Sequence, residues 1–163
     1  MSGSRLHLVG GVPLASAEDV FATTSRVLGA ALPRIPDGEV GRPWMTWFAP
    51  IVEENPLLEK TAEEFRPHPG GLPSFRYRLR DGVRPEDVSF IGLRHAAIAI
   101  ESYGIFARLK AAGRVHPEAK FQCTLAHPIP VIRRYFPDAL QDALEPAFEA
   151  ALLGERAKIA AAI

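Results

Sequence analysis

Residues 33–48 read PRIPDGEVGRPWMTWF and hold two carboxylates, two arginines, two glycines and two tryptophans. A short apolar run precedes them and a helix-compatible one follows, the usual setting for chemistry at the carboxyl end of a strand. Gly38, between Asp37 and Glu39, opens backbone angles closed to other residues, and Gly41 and Pro43 turn the chain again almost at once. Such a turn sets Asp37 and Glu39 on one rim as candidate catalytic groups, with Arg42 near enough to hold a carboxylate or to bind an anionic substrate group. The plainer alternative is a polar loop in which Asp37 caps the turn, Glu39 is solvated and Arg42 pairs with a neighbour.

Outward from this turn the chain reads as repeated strand and helix units. Residues 6–12, LHLVGGV, end in Gly-Gly before Pro13, as expected of a buried parallel strand that stops at a close backbone approach. Ser16 with Asp19 resembles a capping box, and the apolar spacing of Val20, Phe21, Val27, Leu28 and Ala31 predicts a helix over 17–31. Residues 34–36 form a minimal second strand, and residues 44–54 have a helix's composition, ended by Asn55-Pro56. The segment 57–87 breaks the pattern and reads as an excursion with one amphipathic strand, Phe75, Tyr77 and Leu79 alternating with Arg76, Arg78 and Arg80. Its arginine face is expected to be solvated, the alternative being that it receives an anionic substrate tail.

VSFIG at 88–92 predicts a third buried strand, residues 93–112 a long helix stopped by Gly113, and FQCTLA at 121–126 a fourth strand. Asp138 is expected to start a short helix and Pro146 a second one, whose apolar stripe continues to Ile163. Successive βα units imply an α/β fold with a parallel sheet and a ligand site at the carboxyl ends of its strands. The apolar last helix and the fourth strand's missing neighbour suggest the first half of a TIM-type (β/α)8 barrel, truncated, as a single partial domain over 1–163.

With 47% hydrophobic and 23% charged residues, 163 positions suffice for one domain with a real core. Nineteen basic residues balance 19 acidic ones, so there is no net field to draw the chain to nucleic acid or to an anionic membrane; small molecules or protein are the expected partners. The single cysteine, Cys123, precludes an internal disulfide and fits a reducing, cytoplasmic setting. No apolar run approaches the roughly 18 residues of a membrane span, and neither a dinucleotide-binding glycine fingerprint nor a P-loop is present.

The VGGVP of residues 9–13, the IPDGEVGRPWMTWF turn and FQCTLAHPIPVI at 121–132, in this order, resemble the amino-terminal half of a cobalamin-independent methionine synthase-like barrel. More narrowly they resemble its single-barrel relatives, grouped with the uroporphyrinogen decarboxylase-like barrels. The resemblance implies methyl transfer to a thiol acceptor, with Gly10 and Gly11 presenting backbone groups to the substrate and Glu39 holding its ammonium. Gly11 stands where the family pattern has serine, and Asp37 where it has histidine, which puts homocysteine itself in doubt as substrate. Family members activate the thiol with zinc, on ligands from later strands that this sequence does not contain. The chain is therefore expected to be inactive alone and to associate with itself or with a missing second half. Two alternatives stay open: a metal-free decarboxylase-like barrel in which Arg42 and the arginines of residues 75–80 bind carboxylates, and a non-catalytic half-barrel assembly module.

Further candidate substrate contacts are Gln122, on the opposite strand face from Cys123, and His127, which precedes Pro128 on the presumed rim and is either a general acid or a loop histidine. Trp44 and Trp47 share one side of a helix, by default in the core, the sharper alternative being stacking on a flat substrate. Cys123 is expected to be a small buried hydrophobe rather than a ligand or nucleophile, since only His127 lies at ligand spacing from it. His7 is expected inside the first strand, and His68, His95 and His116 on the surface or on helices.

Overall fold

The computed structural model describes residues 5–42, 46–66 and 68–163. Trp44, and with it the start of the helix expected at 44–54, lies outside the described residues. The chain is an α/β protein whose described helices accompany one parallel and one antiparallel two-stranded sheet. It divides into two compact units built from interleaved segments, the first from Met1–Pro43, His95–Leu125 and Ile159–Ile163, the second from Trp44–Arg94 and Ala126–Lys158.

In the first unit, helix α1 (Ala17–Leu28) starts as its sequence dictates. Ser16 Oγ accepts the Asp19 N–H at 3.1 Å and donates to Asp19 Oδ2 at 2.7 Å, meeting one of the four orphan amides of a helix start. Strand β1 (Arg34–Pro36) runs parallel to β4 (Lys120–Gln122), with Ile35 opposite Phe121. Helix α3 (His95–Ala111) packs Phe106 edge-on against Phe21 of α1, ring centroids 5.4 Å apart. Those rings, with Leu32, Ile35, Leu109 and Val115, form this unit's main core.

The first expected strand is a correction. Residues 6–12 form no ladder, only a parallel bridge between Gly11 and Gly38, with the Val12 N–H donating to Gly38 O at 3.0 Å. The carbonyls of Leu8 and Val9 accept instead from the Gln122 side-chain amide, at 2.8 and 3.2 Å, so a side chain does what a neighbouring backbone would. His7 is exposed rather than interior. Strand β4 also ends at Gln122, short of the expected Ala126, and Cys123 beyond it is exposed rather than buried. His95, expected on the surface or on a helix, opens α3 and is buried there.

In the second unit, α2 (Ala49–Glu53) leads into a hairpin of β2 (Leu58–Phe65) and β3 (Ser74–Leu79), where one strand was expected. The sequence of β2, LEKTAEEF, hides its state because its stabilisation comes from cross-strand charge, Glu59 facing and ion-pairing with Arg78. A bulge places residues 61–63 opposite Arg76, and the alternation of β3 fails there: Arg76 and Tyr77 are both buried while Phe75 is exposed. The Arg76 guanidinium donates to the carbonyls of Arg133 and Phe136 at the end of α4 (Pro128–Tyr135). It therefore neither faces solvent nor waits for a substrate anion.

The third expected strand, 88–92, is likewise a correction. Val88 and Phe90 enter the core with Phe48, Tyr135, Phe136 and Phe148, but Ser89 O accepts from Asn55 Nδ2 at 2.9 Å and no ladder forms among the described residues. An apolar run signals burial, and here burial came without pairing. The final segment is one helix, α5 (Asp138–Ala162), with Pro146 inside it. Among the described residues no helix is long and apolar enough to cross a membrane.

Candidate functional site

The acidic turn and the glycine pair meet. In the turn, Gly38 has φ 80°, Glu39 φ 53° and Gly41 φ 71°, left-handed angles that let the chain reverse within six residues of Asp37. A Cβ on Gly38 would come within 2.6 Å of Val20 Cγ2, so α1 also requires glycine there. At Gly10 a Cβ would stand 2.5 Å from Glu39 Oε1 and 3.4 Å from Thr124 Cγ2. The Glu39 carboxylate thus lies directly over the bare backbone of Gly10, beside the end of β4, while Gly11 is 3.8 Å from its other oxygen by the same measure.

The two acids have separate fates. Asp37 is buried, at 5% exposure, and its oxygens are fully engaged. Arg42 grips it with both terminal nitrogens, at 2.9 and 2.7 Å; the Glu39 N–H donates to Oδ1 at 3.1 Å and the Ser102 hydroxyl to Oδ2 at 3.1 Å. Four donors fill the roughly four lone-pair sites of a carboxylate, so Asp37 is an anchor for the turn, with no acceptor site left over for a substrate. Glu39, by contrast, is half-buried and its carboxylate has no hydrogen-bond or ion-pair partner among the described residues. A carboxylate so placed accepts a cation: an ammonium brings both the charge and the donors that the site lacks.

Of the other expected contacts, Arg42 is committed to Asp37, and Gln122 faces the glycine segment with its amide spent on Leu8 and Val9. Gly10 and Gly11 stand at the carboxylate. His127 caps α4, its Nδ1 accepting the Ile129 N–H at 3.3 Å, and belongs to the second unit. Trp47 packs on the second unit's core and donates from Nε1 to Leu93 O at 3.3 Å, the default role weighed for it. Ser102 and Thr124 went unforeseen: a serine in the middle of a helix, 65 positions from the acid it serves, leaves no local signal.

Cys123 lies near this mouth. Protein packed on one side of it and the Asp37 charge push its thiol up, with Arg42 pulling the other way. Among the described residues no three His, Cys, Asp or Glu side chains converge on a point where a metal would bind. The described donors therefore do not make up a zinc site by themselves. Comparison of the chain with protein-family models, with curated proteins and with solved structures gives no match.

Proposed function

We propose that the mouth formed by Gly10, Gly11 and Glu39 holds the ammonium group of a thiol-bearing amino acid, in the substrate-binding half of a methionine synthase-like (β/α) barrel that transfers a methyl group to the thiol. The observation that carries the reading is the Glu39 carboxylate laid over Gly10 with no partner among the described residues. Its supports are the parallel arrangement of the Gly11, β1 and β4 segments, with the acid following the carboxyl end of β1, where α/β enzymes keep their chemistry. Asp37, Arg42 and Ser102 position the turn, and Glu39 alone of these meets the substrate. Methyl transfer itself calls for groups beyond these, which is why we place the chain within a larger barrel, either with a second copy or with a second half, in a reducing cytoplasmic setting.

The decarboxylase-like reading needs arginines free to take carboxylates. Arg42 is bound to Asp37 and Arg76 to backbone carbonyls, so the ammonium reading is preferred.

Calorimetric titration of the purified chain with homocysteine, and with its counterpart lacking the amino group, tests the proposal. A charge-assisted contact of about 1.5–3 kcal/mol corresponds to a loss of roughly tenfold or more in affinity. That loss is expected on removing the amino group and equally in Glu39→Gln. Equal binding of the two ligands would sink the reading.

A further inference from the structure

Away from the acidic turn, a groove of about 750 Å³ runs between α1 and the loop that joins α3 to β4. Its walls carry Arg26, Lys110 and Arg114 against a single carboxylate, Asp19. Since the whole chain balances 19 basic residues with 19 acidic ones, this excess is a local arrangement and not a by-product of composition.

The loop is fixed at three points. Gly113, at φ 69°, lets it leave the end of α3; Val115 is buried; and the His116 N–H donates to the buried Ser25 Oγ of α1 at 2.7 Å. The loop's backbone is thus in place before any ligand arrives, which lowers that part of the ordering cost of binding.

Most of those donors are uncommitted. Arg26 has no hydrogen-bond or ion-pair partner among the described residues. Lys110 gives one of its three protons to Ala119 O at 2.8 Å, and Arg114 engages Glu18 through Nη1 at 2.9 Å, leaving the rest of its fork. His116 Nδ1 accepts the Glu118 N–H at 3.2 Å, so the neutral ring carries its proton on Nε2 as a further donor. The one acid, Asp19, already receives the Ser16 hydroxyl at 2.7 Å. Glu18, shared by Arg114 with Arg108, offsets only part of this charge, so a donor-rich and still positive site suits a ligand of many acceptor oxygens and negative charge, which describes a phosphate group.

We propose that this groove binds the phosphate group of a small phosphorylated molecule, held by Arg26, Lys110 and Arg114. It is a second site: its loop leads into the amino end of β4, whereas Glu39 follows the carboxyl end of β1. The test is an amide-resolved NMR titration of the full chain with inorganic phosphate at constant ionic strength, chloride making up the balance. Saturable shifts confined to residues 19–26 and 110–117 are expected, with affinity at least tenfold weaker in Arg26→Glu. Arg26→Gln is the milder variant, and the melting temperature of each is read alongside to confirm the fold. Shifts that do not saturate, identical shifts with chloride alone, or unchanged affinity in a folded Arg26 variant would each overturn the site.

Discussion

A methyl group on Gly10 would stand 2.5 Å from Glu39 Oε1, so Gly10→Ala must push that carboxylate aside. The obstructing atoms are the far end of a flexible side chain, and the fold can yield there at little cost. We expect the variant to unfold within about 1 kcal/mol of the parent in urea while its affinity for the amino acid falls as far as in Glu39→Gln. Full binding by a folded Gly10→Ala protein would mean that Glu39 does not contact the ligand. Cys123 supplies a second measurement. A thiol whose pKa is raised holds less thiolate at any given pH than free cysteine does, and thiolate is the reacting form. Alkylation by iodoacetamide at pH 8 is therefore expected to run slower than for free cysteine even though the residue is exposed, with the rate still rising at pH values where free cysteine has levelled off. A rate equal to or above that of free cysteine would contradict the packing around Cys123, and with it the Asp37 charge, as causes that raise its pKa.

Helix α5 illustrates how an element overrides its own punctuation. Pro146 carries no N–H, so the carbonyl of Asp142 loses its intrahelical donor, and the sequence alone argues for two helices. One helix results because Leu144, Phe148 and Leu152 are buried on one stripe in the second unit's core, and that burial outweighs a local defect. Pro146 itself is exposed, so its ring contributes no core packing. Pro146→Ala should accordingly stabilise the protein, by up to about 3 kcal/mol, read as a raised melting temperature. A fall in melting temperature would show that the proline is needed to shape the helix. Helix α4 is the converse case, in which Pro128 sits in a first turn where a missing N–H costs nothing and His127 provides the cap.

Each unit is assembled from segments far apart in the chain, and this limits where it can be cut. The second unit's core draws Phe48, Leu58, Tyr77 and Phe90 from before residue 95 and Val131, Tyr135, Leu144 and Phe148 from after residue 125. A chain ended at Leu125 keeps β1 beside β4 but strips the cover from the earlier group. Removing several fully buried aromatic and aliphatic side chains far exceeds the 5–15 kcal/mol by which domains are usually stable. The truncated chain is expected to bind a hydrophobic dye and to lose the sharp amide spectrum of residues 46–94. A well-dispersed spectrum over that segment would show that the hairpin needs no partner from the later chain.

What could be read from the residues in order were the local devices: the Ser16 cap with the helix after it, the long helix ended by Gly113, the parallel placement of 34–36 and of the start of 121–126, and a reversal at Asp37-Gly38-Glu39. These depend on side-chain size, backbone angles and spacing within a turn or two, and such information travels with the sequence. Which of two neighbouring acids is spent and which is left open was settled only in three dimensions, because it turned on Ser102 arriving from another helix and on Gly10 lying under Glu39. The same holds for the buried run at 88–92 and the charged strand β2, where apolarity and pairing parted company. Hydrophobic burial has no direction, whereas hydrogen bonds and ion pairs do, and the partners that direction requires came from parts of the chain with no sequence relation to one another.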